Sequence, residues 1–173
     1  MSAQDFSLSA FLPYRLAVLS ERASRRLSVV YEKTHGLSVA EWRVLVHLMR
    51  SEKVSVREIN TCVSLEKSRV SRAVARLESE GLVEKSPGAV DGRLVQISLT
   101  AKGKAALADI LPEALAVERA LVAGIPAEEL ATFCAVMEKI HAAMDADPEA
   151  RPRSAMDQDG LGDADPITAQ AGR

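Results

Sequence analysis

The chain has 173 residues, a formal charge of −2 and 47% hydrophobic residues, but only 3% aromatic residues. This length suits one domain, or a domain with an added dimerisation segment, and is enough to bury a core. There is no run of 18 apolar residues and no signal-peptide pattern, so we expect a cytoplasmic protein without a membrane span. The scarcity of aromatic residues predicts an aliphatic, alanine-rich core, which is typical of helical proteins.

Two helices are predicted in the first fifty residues. The first spans residues 10–33, ends near His35-Gly36, and carries an apolar stripe made of Leu12, Leu16, Leu19, Ala23, Leu27 and Val30. Ser38 and Glu41 have the spacing of a capping box, in which each side chain accepts a backbone N–H of the other residue. This box predicts a second helix over residues 39–49.

A pair of helices joined by a tight turn is predicted next. Ser55 and Glu58 form another capping box, and the apolar face that follows consists of Val56, Ile59 and Cys62. Ser64 is a suitable cap for a second helix over residues 65–80, and Gly81 is suited to the left-handed position that closes it. The apolar face of that second helix consists of Val70, Ala73, Val74 and Leu77.

The opposite face of the helix over residues 65–80 is basic, with Ser68, Arg69, Arg72 and Arg76, while Lys67 lies in its first turn. A helix N-terminus favours anions, so a basic residue there indicates an external anion such as a DNA phosphate. The arginines could reach guanine edges or phosphates. The alternative is a solvated charged face stabilised by an Arg76–Glu80 pair. The neighbouring elements favour the DNA-binding interpretation.

A β-hairpin is predicted after this helix, with strands over residues 83–86 and 93–99. The second strand alternates apolar and polar residues, and the turn dipeptides Pro87-Gly88 and Asp91-Gly92 mark the loop. Arg93, oriented by Asp91, would suit a narrow and negative minor groove. The alternative is an ordinary turn with a surface arginine. A helix pair followed by such a hairpin, or wing, is the order of a winged helix-turn-helix.

The distribution of charge agrees with DNA binding. From Asp145 onward there are seven acidic and three basic residues, a net charge of −4, so residues 1–144 carry +2 of the overall −2. Between Glu66 and Arg76 there are four basic residues and one acidic residue. DNA binding requires a local basic patch rather than a basic protein.

Two further helices are predicted after the wing. Thr100 caps one that runs to about Ala123, with an interruption near Pro112, and Pro126 begins another that ends near Met144. The last helix carries Leu130, Phe133, Val136, Met137 and Ile140 on one side. These helices and the first have no obvious partner within the winged helix, so we expect a second copy of the chain to cover them. Residues 148–173 lack periodicity and predict a flexible acidic tail.

Several motifs together resemble the MarR family (multiple antibiotic resistance regulators), over about residues 10–144. They are Glu66-Lys67-Ser68-Arg69-Val70-Ser71-Arg72, Arg76-Leu77-Glu78, Glu80-Gly81-Leu82-Val83, Asp91-Gly92-Arg93 and Leu99-Thr100-Ala101-Lys102-Gly103. The resemblance implies a homodimer that binds a pseudo-palindromic operator, usually as a repressor, and that a small molecule or an oxidant releases from DNA. The family often has an arginine where this chain has Gly92, which removes one possible wing contact. The carried-over DNA-binding residues are Lys67, Ser68, Arg69, Ser71, Arg72, Arg76 and Arg93.

The predicted fold is mainly α with a small β-hairpin wing (α+β): a winged helix-turn-helix flanked by N- and C-terminal dimerisation helices. We expect an N-terminal helix for dimerisation and ligand binding (residues 1–36), a DNA-binding domain (37–100), C-terminal dimerisation helices (101–147) and the tail (148–173). The alternative function on the same fold is a ligand-independent architectural or protein-interaction module.

No catalytic or metal-binding motif was found, so we expect neither an enzyme nor a cofactor. Cys62 and Cys134 sit at apolar helical positions and are predicted to be buried structural residues. A sensor site is predicted from Arg15, Trp42 and His47, because an arginine near aromatic rings suits a small aromatic carboxylate. The alternative places Trp42 in the core and Arg15 in a surface or dimer-interface ion pair.

Overall fold

The computed structural model describes residues 6–50, 54–55, 58–59, 65–87 and 95–150. In these segments there are five helices of more than one turn and a three-stranded sheet, which confirms the predicted winged helix-turn-helix fold. The elements are α1 (Leu12–His35), α2 (Val39–Arg50), β1 (Val54–Ser55), α3 (Lys67–Ser79), β2 (Val83–Pro87), β3 (Val95–Leu99), α4 (Ala101–Val122) and α5 (Ala127–Asp145). A short 3-10 turn, Leu8–Ala10, precedes α1.

Both predicted capping boxes are present. The Ser38 backbone N–H donates to Glu41 Oε2 at 2.6 Å, and the Glu41 N–H donates to Ser38 Oγ at 3.3 Å, so α2 begins where predicted. Ser55 and Glu58 make the same reciprocal bonds at 2.7 and 3.2 Å. Glu58 and Ile59 are helical, while Val56, Cys62 and Ser64 lie outside the described residues. The local sequence therefore sets these helix starts.

The boundaries of α3 differ slightly from the prediction. The helix begins at Lys67, two residues later than expected, and Glu66 occupies the N-cap position without a side-chain cap. At the other end, Gly81 has φ 69° as predicted, and Leu82 N–H reaches back to the Leu77 carbonyl at 2.9 Å. This is a Schellman termination, which ends α3 abruptly and turns the chain into β2.

The sheet has the strand order β1-β3-β2, and both pairings are antiparallel. The β2–β3 hairpin of the wing is confirmed, with Val83 opposite Leu99 and Pro87 opposite Val95. The strand β1 was not predicted, because two residues show no alternation. It pairs Val54 with Ile97 and so attaches the wing to the segment that follows α2.

One hydrophobic core joins the winged helix to α1 and α4. Its largest fully buried side chains come from α1, α2, α3, β3, α4 and the helical residue Ile59: Tyr31, Val44, Leu45, Ile59, Val70, Val74, Leu77, Ile97 and Ile110. The expectation that α1 and α4 lack partners in the winged helix was therefore wrong for the second half of α1 and for α4 as far as Val117. The first half of α1 and the end of α4 keep large exposed apolar side chains.

The start of α4 is fixed by contacts with the end of α3. Thr100 Oγ1 accepts the Gly103 N–H at 3.0 Å, as the predicted cap requires, and donates to the Gly81 carbonyl at 2.7 Å. The predicted interruption at Pro112 was wrong, since α4 continues through it. A proline removes one helical hydrogen bond, but the carbonyl left without that bond belongs to the exposed Ala108. Buried side chains on either side of Pro112, including Ile110 and Val117, hold both halves in line.

Large apolar side chains are exposed along the outer parts of α1, α4 and α5. They include Leu12, Leu19, Leu121, Phe133 and Val136, together with Phe11 at the N-cap of α1, and these side chains are 44–54% exposed. On α5, Leu130 is the one buried side chain among the described residues, at 8% exposure. No single described helix is long and apolar enough to span a membrane; α4 and α5 pass that test only together, with a bend of 102° between them.

Candidate nucleic-acid interface

The helix α3 presents one face to the core and the other to solvent. Val70, Ala73, Val74 and Leu77 are all buried, at 0–4% exposure, against α2 and β2. Because these residues recur at three- and four-residue spacing, the residues between them must point outward. The predicted DNA-contacting side chains on this helix are all exposed: Lys67, Ser68, Arg69, Ser71, Arg72 and Arg76.

Four basic side chains on this face are not equivalent. Lys67 and Arg69 lie in the first turn, where the unpaired backbone N–H groups of a helix start favour an anion. Arg72 Nε donates to the Ser68 carbonyl at 3.3 Å, which directs its side chain along the helix toward that same end. Lys67, Arg69 and Arg72 therefore form a basic end of α3 suited to phosphate and base-edge contacts.

Arg76 is held by other parts of the protein. Its Nε lies 3.5 Å from Glu41 Oε1, and its Nη2 donates to the Gly36 carbonyl at 3.3 Å. The Arg76–Glu80 pair considered in the sequence was wrong, because Arg76 pairs with the buried Glu41 instead. The sequence revealed Glu41 only as a capping residue, since its contact with Arg76 joins positions far apart in the chain.

The described part of the wing is fastened to α3. Lys85 Nζ lies 2.5 Å from Glu78 Oε2, and Ser98 Oγ donates to Glu84 Oε1 across the hairpin at 3.2 Å. These contacts hold the base of the hairpin beside the end of the recognition helix. Asp91, Gly92 and Arg93 lie outside the described residues, so the wing tip remains a prediction.

Of the three predicted ligand-binding residues, Trp42 lines the cleft between α1 and α4, and neither Arg15 nor His47 lines that cleft. Trp42 is 8% exposed and stacks on Tyr31, with ring centroids 5.1 Å apart. Arg15 is exposed and precedes Ala23, the first α1 residue lining the cleft beside Trp42, by roughly 12 Å of helix. His47 is buried, and neither ring nitrogen has a hydrogen-bond partner among the described residues.

Two titrating side chains near the helix pair have shifted pKa values. Burial lowers the pKa of His47, although the nearby carboxylate of Glu58 opposes this shift. Hydrogen bonds from the side chain and backbone of Ser55 lower the pKa of Glu58. At neutral pH the fold therefore contains a neutral imidazole and a charged capping carboxylate.

An apolar cleft of about 420 Å³ lies beside Trp42, between α1 and α4. Its lining includes Ala23, Leu27, Leu111 and Leu115, and its one charged lining residue in the described chain is Glu118. A wider groove of about 790 Å³ shares Ala23, Leu121 and Val122 with the cleft. That groove adds Arg22, Arg26 and Phe133.

The described residues contain no cluster of three His, Cys, Asp or Glu side chains able to hold a metal ion. Cys134 is half-buried rather than buried as predicted, because α5 contacts the rest of the chain along only a narrow side. Cys62 lies outside the described residues.

Residues 35–94 match the MarR family, a segment that runs from the end of α1 to the wing. An HTH-type transcriptional regulator of Bacillus cereus is 30% identical over 139 residues, which cover 80% of this chain and 92% of that protein. The HTH-type transcriptional repressor IacR of Pseudomonas putida is 30% identical over 102 residues, 59% of this chain and 60% of that protein.

Solved structures extend the likeness to the whole fold. A MarR family transcriptional regulator from Silicibacter pomeroyi is 30% identical, with a TM-score of 0.68 over 79% of this chain and 90% of that one. Sco3205 of Streptomyces coelicolor, solved in complex with DNA, has a TM-score of 0.72 at 22% identity over 86% and 95%. BpsR of Bordetella bronchiseptica, whose DNA binding is regulated by 6-hydroxynicotinic acid, has a TM-score of 0.71 at 20% identity over 82% and 99%. The chain thus belongs to the MarR family of transcriptional regulators, not to a family of enzymes.

Proposed function

We propose that this protein is a homodimeric repressor that reads a pseudo-palindromic operator through α3. The observation that supports this most directly is the exposed basic end of α3, formed by Lys67, Arg69 and Arg72, on a helix whose other face is buried. Ser68 and Ser71 lie on the same exposed surface and can donate to phosphates or base edges. Arg93 at the wing tip would add a minor-groove contact.

The exposed apolar side chains of α1, α4 and α5 support the dimer. A surface of that kind, with residues such as Phe11, Leu19, Leu121 and Phe133, is costly to leave in water and marks an association site. Residues 1–36 and 101–147 would then form the dimerisation helices, with residues 37–100 as the DNA-binding domain and 148–173 as the tail. Two-fold symmetry would place two recognition helices about one DNA turn apart.

The cleft beside Trp42 supports a small aromatic effector. Its apolar lining would cover an aromatic ring, while Arg22 and Arg26 in the adjoining groove could pair with a carboxylate. These two arginines take the role that the sequence suggested for Arg15. An acid bound this way would join α1 to α4 and shift the spacing of the two recognition helices, provided that it binds the DNA-incompetent state more tightly.

The test is an anisotropy titration of the purified protein with DNA flanking its own gene, at fixed salt. We expect nanomolar-range binding that competitor DNA of unrelated sequence does not abolish. A thermal-shift screen of phenolic acids, pyridine carboxylic acids and their thioesters then identifies effectors, and a stabilising acid should release the DNA. Arg22→Ala with Arg26→Ala should abolish that release while operator binding persists. DNA binding that no acid relieves would instead favour a ligand-independent architectural protein.

A further inference from the structure

The contacts of Arg76 point to a role for this residue in DNA recognition, and that role rests on the proposed function. Arg76 is 57% exposed on the same helix as Lys67 and Arg72, so exposure alone would class it as a DNA contact. Its guanidinium, however, is directed toward the corner between α1 and α2 and is held there by contacts that the other basic side chains of this face do not make in the described part of the chain. Two separate elements meet it there.

The first is the carboxylate of Glu41, whose side chain is 4% exposed. One of its oxygens, Oε2, accepts the Ser38 N–H at the start of α2, and the other, Oε1, faces Arg76 Nε at 3.5 Å. A buried carboxylate is stable only when it is paired and hydrogen-bonded. Withdrawing Arg76 toward a DNA phosphate would leave Glu41 with a single described partner.

The second is the carbonyl of Gly36, which accepts from Arg76 Nη2 at 3.3 Å. Gly36 adopts a left-handed conformation, φ 62°, immediately after the last residue of α1. One guanidinium therefore connects the end of α1, the start of α2 and the last turn of α3. The planar fork of an arginine suits such a junction, because its donors are fixed relative to one another.

We infer that Arg76 is a positioning residue, which sets the orientation of α3 against the α1–α2 corner through Glu41 and Gly36 and does not itself contact DNA. Because α1 continues from this corner into the exposed apolar surface, the same contact relates α3 to the proposed dimer interface. Operator recognition depends on that orientation, since both half-sites must be met at once. Binding to DNA of unrelated sequence depends mainly on the number of cations that meet phosphates.

The test compares Arg76→Gln, Glu41→Gln and the double variant in the full-length protein, measuring affinity for the operator and for unrelated DNA across a salt series. We expect each single variant to weaken operator binding roughly tenfold, and the double variant to be no weaker than the singles, as for two residues that act as a unit. Affinity for unrelated DNA and the salt dependence of operator binding should stay at the parent values.

Two control variants should behave differently from Arg76→Gln. Lys67→Gln removes an exposed cation at the basic end of α3. The slope of log affinity for operator against log salt concentration should therefore become shallower by roughly 0.9. Glu32→Gln removes an exposed acid from a separate cleft between α3 and the α1–α2 corner, which Glu41 and Arg76 also line, and should not weaken operator binding. Thermal melts establish that each protein compared is folded at the assay temperature, and Arg76→Met, which also removes the cation, replaces Arg76→Gln should that variant be unfolded.

The inference is overturned if Arg76→Gln lowers the salt slope as Lys67→Gln does, or if the effects of Arg76→Gln and Glu41→Gln add. It is also overturned if Glu41→Gln leaves operator binding unchanged. Failure of the parent protein to bind any operator would refute the proposed function instead, which separates the two outcomes.

Discussion

Replacing Gly103 by alanine should destabilise the protein and weaken operator binding. Gly103 lies in the first turn of α4, and a Cβ added there would be 2.1 Å from the Leu82 carbonyl oxygen and 3.3 Å from Leu99 Cδ2. The first distance is roughly 1 Å shorter than an ordinary carbon–oxygen contact of about 3.3 Å. The obstructing atom belongs to the backbone beside β2, so α4 must move away from the base of the wing.

The size of the expected destabilisation by Gly103→Ala follows from two opposing effects. Overpacking costs about 1–3 kcal/mol, and a backbone obstacle places this case at the upper end. Alanine is better than glycine within a helix by about 0.5–1 kcal/mol, which leaves a net loss of roughly 2 kcal/mol. For a chain of this size, that loss lowers the Tm by about 4–8 °C.

The assay is a thermal melt at one protomer concentration, with Gly124→Ala as the control. No atom lies within 4 Å of a Cβ added at Gly124, so that variant should keep or slightly raise the Tm. If both variants melt together, the close packing of α4 on the wing would be wrong.

Four further predictions concern the interface and the fold. Arg72→Ala should lose about 1–3 kcal/mol of discrimination between operator and unrelated DNA, and equal affinities of mutant and parent in a gel shift would exclude a base contact. Arg93→Ala should reduce the salt slope by roughly 0.9 with little change in sequence preference, whereas an unchanged slope and affinity would mean that the wing does not touch DNA. Because burial lowers the pKa of His47 from its ordinary value of 6.5, the unfolded chain binds more protons than the folded one as the pH falls through that value. The free energy of unfolding should therefore fall as the pH is lowered from 7 to 5. His47→Gln should flatten this dependence, and an unchanged pH dependence would refute the role of His47. Light scattering at micromolar concentration should give a dimer, and a stable monomeric parent would contradict the proposed interface. Deletion of residues 1–30 should cause aggregation, whereas truncation after Asp147 should leave the dimer and its stability nearly unchanged.

Features that depend on nearby residues could be predicted from the sequence. The capping boxes Ser38–Glu41 and Ser55–Glu58, the left-handed Gly81 and the Thr100 cap all involve residues three or four positions apart or a single special conformation. The buried face of α3 followed from helical periodicity alone. These local signals were enough to place the recognition helix and the described part of the wing.

Features that depend on distant contacts could not be predicted. The partnership of Arg76 with Glu41 and Gly36 joins three elements, and only the folded chain brings them together. Arg15 lies about two helical turns before the cleft beside Trp42, a distance that depends on how α1 packs and that residue types alone do not reveal. The strand β1 is too short to show a pattern. The expected break at Pro112 does not occur, because packing on both sides of this proline keeps α4 continuous.

The most direct test of the account is selection of binding sites from random duplex DNA by the purified protein. Two recognition helices related by a two-fold axis should enrich an inverted repeat whose half-site centres lie about 10 bp apart. The same selection with Arg72→Ala should lose enrichment at specific base positions in both half-sites. Recovery of no preferred sequence, or of a single half-site without its inverted copy, would contradict sequence-specific reading by a dimer.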